Sequence, residues 1–216
     1  GVVRTVHHIF PMPKTVVWQL IRAIKVVQRM VLKRFMRVLI VSNSLSGLRN
    51  ERNTYLSSNR YIPNWFDSKR FKVRSETDRL VARKTLGHSE NDFLLVSLGG
   101  NWEYKNYHLI VYALERLKDH DGLTYIQVGP QGEERPLERL ARELGVESRV
   151  VCVGVVDDPG LYLRAADVYV MPSKIEGFGC AAAEAMAVGV PVILANTPAL
   201  SDFQEEGVGP FTQIHV

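Results

Sequence analysis

The sequence predicts an α/β protein built on parallel sheets, and three observations carry that prediction. From residue 93 onward, short apolar runs alternate with helix-like stretches, the order that covers a parallel sheet with helices on both faces. The run Arg37-Val-Leu-Ile-Val-Ser42 is apolar on both faces, as a strand buried between helices must be. Gly99, Gly129 and Gly154 each follow a strand-like run, at the carboxyl ends where such sheets bind ligands.

Taken in order, Gly1-Val-Val-Arg-Thr-Val-His7 reads as a strand well inside a domain. Residues 15–36 read as a helix, because Val17, Leu20, Ile21, Ile24, Val27, Val31 and Phe35 follow a three-four spacing. Arg22, Lys25, Arg29 and Lys33 fall along a roughly opposite stripe. Two arrangements suit such a helix: its apolar stripe packs on its own sheet and leaves the basic face solvated, or the helix lies on anionic lipid headgroups. Residues 60–75 carry Pro63, Asn64, Asp67 and several charges with little periodicity, and read as a crossing between domains. Glu76–Leu86 reads as a helix that ends at Gly87, a residue free to adopt the left-handed cap. Strands are then expected at 93–98, 124–128, 149–153, 167–171 and 191–194, with helices at 106–118, 136–144, 159–165 and 179–188.

The most telling segment is Glu176-Gly-Phe-Gly-Cys-Ala-Ala-Ala-Glu184, two carboxylates separated by seven residues around a Gly-rich loop that runs into a helix. A helix N-terminus presents unpaired N–H groups and a partial positive charge, which together hold phosphate. Gly177 and Gly179 let backbone approach a ligand closely, and the following alanines keep the first turn slim. Glu176 stands at the loop and Glu184 about two turns into the helix. A phosphate held between two hydroxyl-binding carboxylates points to a nucleotide sugar.

This Glu-x7-Glu segment, with Val168-Tyr-Val-Met-Pro-Ser173 before it and Ala-Met-Ala-Val-Gly-Val-Pro-Val192 after it, resembles the donor site of family 4 retaining glycosyltransferases, which have the GT-B fold. Further segments match in the same order over nearly the whole chain. Leu94-Leu-Val-Ser-Leu-Gly-Gly100 through Lys105-Asn106 resembles the first strand and phosphate loop of the donor domain, and Tyr125-Ile-Gln-Val-Gly-Pro130 its second strand. Arg149-Val-Val-Cys-Val-Gly154, Asp157-Asp158 and Ala165-Ala-Asp167 resemble the strand and turn that line the base. Thr5-Val-His7, Val41-Ser42 and Ile62-Pro-Asn64 resemble late elements of the acceptor domain. The resemblance implies two Rossmann-like domains with parallel sheets, the N-terminal one incomplete: residues 1–67 as the C-terminal part of the acceptor domain, 68–92 as linker and connecting helix, and 93–216 as a donor domain lacking its end. The chain is accordingly expected to be a piece of a larger enzyme, or to lack both ends.

The resemblance also assigns roles. Lys105 would neutralise the diphosphate leaving group, Glu176 would bind hydroxyls of the donor sugar, and Glu184 the ribose. Gly99, Gly100 and Asn101 belong to the phosphate loop, Gly177 to the donor loop, and backbone N–H groups of Phe178, Gly179 and Cys180 are candidates for the distal phosphate. Val156 and Asp158 fall where the family lines the base, although Asp158 before Pro159 equally suits a helix N-cap. His7 matches the acceptor-side histidine and, with a pKa near ~6.5, could orient or deprotonate a hydroxyl; His8 is the adjacent alternative, and a structural histidine is the plain one. The family pairs Lys105 with an arginine five residues earlier, where this chain has Gly100. Asn101 could donate a weaker bond there and Lys174 could reach in from a neighbouring loop, so reduced or altered activity stays open.

Composition narrows the setting. Across 216 residues, 46% are hydrophobic and 23% charged, which excludes a disordered chain. Cys152 and Cys180 provide neither a disulfide framework nor metal spacing, and a reducing compartment is expected. The resemblance implies no catalytic metal, and no cofactor is expected beyond the UDP- or GDP-linked sugar substrate. Residues 1–50 hold nine Lys/Arg and no acid, whereas the remainder holds 18 basic and 23 acidic side chains, a net of −5. That asymmetry points the first part toward something anionic, either a lipid-linked or glycan acceptor or an anionic membrane met by the basic 14–37 helix, and not toward nucleic acid. The expected location is cytoplasmic, peripheral on the inner membrane face. A GT-B nucleotide-sugar epimerase and a non-catalytic nucleotide-sugar-binding subunit are the rival readings; Gly100 favours the second.

Overall fold

The computed structural model describes residues 3–6, 15–36, 38–56, 59–207 and 211–214. They fall into two compact units, one drawn from Gly1–Trp65, Ile175–Gly179 and Thr197–Val208, the other from Phe66–Lys174, Cys180–Asn196 and Gly209–Val216.

In the first unit, β1 (Val3–Val6), β2 (Leu39–Ser42) and β3 (Arg60–Tyr61) form a parallel sheet in that order. α1 (Val16–Phe35) connects β1 to β2, and α2 (Leu45–Tyr55) connects β2 to β3. The Ser44 side chain accepts the Gly47 N–H at 3.1 Å and so caps α2.

α1 does not bury the expected apolar stripe: its one buried side chain is Arg29, while Trp18, Ile21, Val26 and Leu32 are partly covered. Arg29 is buried and makes a two-pronged ion pair with Glu51 of α2, both bonds 2.8 Å, beneath the Tyr55 ring. Arg22 donates to the carbonyls of Thr54 and Asn53 near the end of α2, and Lys25 is partly covered. Val17, Leu20, Ile24, Val27, Val31 and Phe35 instead stand exposed. Arginine side chains reach α2's buried acid and its terminal carbonyls, which no aliphatic side chain can satisfy. Lys14 and Arg37 lie outside the described residues.

The second unit holds a six-stranded, all-parallel sheet. Its strands are β4 (Phe93–Leu98), β5 (Leu123–Val128), β6 (Val150–Gly154), β7 (Val168–Met171), β8 (Val192–Ala195) and β9 (Phe211–Ile214), in the order β6-β5-β4-β7-β8-β9. This is the doubly wound order, and strand succession reverses between β4 and β7. The helices are α3 (Glu76–Leu86), α4 (His108–Arg116), α5 (Pro136–Glu143), α6 (Pro159–Ala165) and α7 (Cys180–Val188). α3 opens on a capping box between Ser75 and Asp78 and closes on Gly87 at φ 77°. One core lies between α4, α5 and the sheet, where Tyr107, Val111, Leu114, Tyr125, Leu137 and Ala141 are buried.

α8 (Pro198–Glu205) belongs to the first unit and packs on α2. Asp202 is buried and accepts from the Ser46 amide at 2.9 Å and the Ser46 hydroxyl at 2.5 Å. Burial pushes its carboxyl above the usual range, and the two bonds from Ser46 pull it partly back. Arg49 pairs with Glu205 alongside.

Within the second unit, Arg83 is the largest fully buried side chain. It donates to the carbonyls of Ala165 (3.0 Å), Glu90 (2.8 Å) and Asp92 (2.7 Å), and to Asp167 at 2.5 Å. Arg83→Ala strips all of these acceptors at once, so urea unfolding is expected to show a loss of about 3–5 kcal/mol. Arg83→Lys recovers little of it, because one ammonium cannot span the guanidinium's acceptors. A loss below about 1 kcal/mol would mean that water replaces the guanidinium without cost.

Candidate active site

The carboxyl ends of β4, β5 and β6 each terminate in a glycine of positive φ: Gly99 at 126°, Gly129 at 138° and Gly154 at 83°. Hydrogen bonds continue across these loops beyond the strands. Gly99 N–H donates to Val128 O at 2.8 Å, Gly129 N–H to Gly154 O at 2.7 Å, and Asn101 N–H to Pro130 O at 2.8 Å. The packing is tight enough that a Cβ on Gly129 would lie 2.4 Å from the Gly99 carbonyl oxygen. Gln127, fully buried, donates its side-chain amide to that same oxygen at 2.5 Å.

On this floor rests a pocket of about 290 Å³. Leu98, Gly99, Gly129 and Pro130 line one side, Val155, Val156 and Pro159 another, and Cys180, Ala181 and Glu184 the third. The last three share one face of α7, because positions i, i+1 and i+4 lie together on a helix. Ala182, Ala185 and Val188 turn to the interior. The first turn of α7 holds no acidic side chain, and Gly179 at φ 92° precedes it.

Lys105 ends a single 3₁₀ turn, Glu103–Lys105, fixed by its own N–H to Trp102 O at 2.8 Å and by Asn106 in the left-handed conformation at φ 61°. That turn sends the side chain back over Gly99, with Nζ 4.0 Å from where a Cβ on Gly99 would stand. A cation, a helix N-terminus and a carboxylate therefore belong to one unit, and together they suit an anion joined to a polyhydroxyl group.

Other candidates fall elsewhere. Val156 lines the pocket, but Asp158 stands outside it at the start of α6. Burial works to raise the Asp158 carboxyl; the Arg164 hydrogen bond at 2.8 Å and the charges of Arg164 and Arg70 outweigh it and hold the group below the usual range. Gly100 and Asn101 follow Gly99 in the loop. Glu176, Gly177, Phe178 and Gly179 group with the first unit, where the Phe178 ring meets Phe203 edge-on at 5.4 Å. His7, like His8, lies outside the described residues. Among the described residues no group of three or more His, Cys, Asp or Glu could hold a metal. Sequence reasoning misses Gln127 and Trp102; a polar residue inside the apolar run of β5 was the available signal for the first.

Burial is the larger influence on Glu184 and pushes its carboxyl above the usual range, while the Arg70 charge pulls the other way. The native state thus holds this proton more tightly than the unfolded chain. The stability it contributes is full below the ordinary carboxylate range and is lost as pH rises through the raised value. Glu184→Gln is expected to raise the thermal midpoint at neutral pH, a gain that shrinks below about pH 4. A variant less stable than the parent at neutral pH would contradict this. Gly129→Ala, strained in φ and in contact with Gly99 O, is expected to cost about 3 kcal/mol or more in urea unfolding; a loss under about 1 kcal/mol would show that the floor yields.

Residues 78–216 match the family model of the glycosyl transferases group 1. The lipopolysaccharide core biosynthesis glycosyltransferase LpsE of Rhizobium meliloti (strain 1021) is 34% identical over 134 residues, covering 61% of this chain and 38% of that protein. Among solved structures, Anabaena Alr3699/HepE in complex with UDP superposes with a TM-score of 0.79 at 24% identity, over 99% of this chain and 58% of the other. Its complex with UDP-glucose gives 0.74 at 26% identity, over 90% and 54%. The matched part of LpsE is less than half of that protein. The parallel sheets and these GT-B neighbours agree on a Rossmann-like GT-B architecture, and the match across the glycine floor, Lys105 and α7 places the chain in the glycosyl transferases group 1 family.

Proposed function

We propose that the chain carries the donor site of a retaining, metal-independent hexosyltransferase of family 4 that uses a nucleoside-diphosphate sugar. The observation that carries this reading is the pocket itself, where the α7 N-terminus, Glu184 and the glycine floor with Lys105 beside it form one anion-binding surface in one unit. Glu184 binds the ribose, Val156 and the segment after β6 take the base, and Lys105 with the N–H groups opening α7 receives the departing diphosphate. Charge developing on a leaving group is best met by such preorganised donors, each worth about 100-fold in rate. Glu176 holds donor-sugar hydroxyls and His7 serves the acceptor. The complexes of the Anabaena neighbour with UDP and UDP-glucose favour uridine over guanosine as the base.

In this reading residues 1–67 supply the acceptor side, 68–92 connect, and 93–216 supply the donor side. The LpsE relative, named for lipopolysaccharide core biosynthesis, supports a glycan or lipid-linked acceptor. No helix of the described residues is long and apolar enough to cross a membrane. Peripheral contact with the inner face of an anionic membrane is proposed through α1, whose exposed apolar stripe now supplies the inserting face in place of the basic one.

Calorimetric titration with UDP, GDP and their sugar conjugates tests the donor site. Lys105→Ala and Glu184→Ala are each expected to weaken the preferred ligand about tenfold or more. Unaltered affinity in both variants would refute the assignment. Transfer with net retention at the anomeric carbon, followed by NMR in the presence of a chelator, is the expected outcome with a suitable acceptor; an inverted product, or loss of activity on chelation, would overturn the mechanism.

A further inference from the structure

Gly100 is a glycine whose missing side chain has been replaced in space by another residue. A Cβ at that position would lie 2.6 Å from Nε1, 2.8 Å from Cε2 and 3.2 Å from Cζ2 of Trp102. The indole therefore lies across the backbone of Gly100, yet it remains 52% exposed. The loop beneath it is rigidly tied. Trp102 N–H donates to Gly100 O at 2.9 Å, Asn101 N–H to Pro130 O and Lys105 N–H to Trp102 O, both at 2.8 Å, and Gln127 grips Gly99 O.

Lys105 reaches over Gly99 while the indole covers Gly100. Gly99 lines the pocket and Gly100 follows it, so the half-exposed indole stands one residue along the loop from the pocket's edge. A phosphate bonded to a pyranose ring has two parts. One carries negative charge, and the next presents a face of C–H groups that oxygen substituents leave slightly positive. The negative face of an indole attracts such C–H groups, just as it attracts cations.

We infer that Trp102 seats the sugar ring of the donor and sets which sugar is accepted, with Lys105 meeting the adjoining phosphate. The inference rests on the nucleotide-sugar reading above and adds a specificity-determining residue to it. Gly100 follows as a requirement, because any side chain there would push the indole from its seat.

The test titrates the 216-residue chain and three variants with UDP and UDP-glucose, and with GDP and GDP-mannose. Trp102→Ala is expected to weaken the sugar conjugate about tenfold while changing the bare diphosphate by less than about twofold. Trp102→Phe keeps an aromatic plate and retains most of the affinity. Gly100→Ala displaces the indole without deleting it and behaves like Trp102→Ala, which keeps the test decisive if Trp102→Ala folds poorly; thermal unfolding reports on each variant. Equal weakening of conjugate and diphosphate would overturn the inference, since the plate would then hold the base or merely brace the phosphate loop. No change in either would overturn it and leave the donor site standing. Failure of the folded parent to bind any of the four compounds would sink the donor reading, and this one with it.

Discussion

The carboxylate of Asp167 is the joint on which the second unit depends. It accepts from Arg83 at 2.5 Å, from Arg79 at 2.9 Å and from the backbone N–H of Leu94 at 2.7 Å. Leu94 opens β4 and Asp167 immediately precedes β7, the two strands between which the sheet reverses direction of succession. Fastening their amino ends to α3 fixes the spacing of the central strands. At the opposite ends the helices that follow β4 and β7 leave toward different faces, and the crevice so opened is where the pocket forms. A half-buried acid with two guanidiniums and an amide as partners is stable because each charge keeps a partner, which desolvation alone would forbid.

The pocket floor shows how sequence becomes a binding surface. Three glycines in positive φ let three loops bond to one another instead of turning away. The Gly99 and Gly129 amides are used in that network, and the Lys105 side chain and the start of α7 stand beside the floor it forms.

Much of this was legible in advance. Strand-helix alternation gave β4 through β8 to within a few residues, since parallel strands are continuous apolar runs and their helices keep a clear period. Gly87 marked the end of α3 as a left-handed cap does. Gly99, Val156, Cys180 and Glu184 were all nominated from sequence, and one pocket gathers them. The misses share a cause, which is distance along the chain. Periodicity showed that α1 has two faces but not which one is buried, because that depends on Glu51, 22 residues beyond Arg29. The Ser46–Asp202 bond spans 156 residues, and the grouping of Thr197–Val208 with the first unit leaves no local signature. Trp102 carried no period, and its meaning emerged only once Gly100 was seen beneath it.

The apolar side of α1 has a practical consequence for anyone handling this 216-residue chain. Folded, it already displays an apolar ridge, with Val16 80%, Leu20 64%, Ile24 59%, Val27 59% and Phe35 76% exposed. Dyes that fluoresce on apolar surface, ordinarily a signature of partly unfolded chains, will light up on the native state. Mild detergent should quench that signal without melting the fold, and chromatographic retention on hydrophobic resin should track α1 rather than the amount of denatured material.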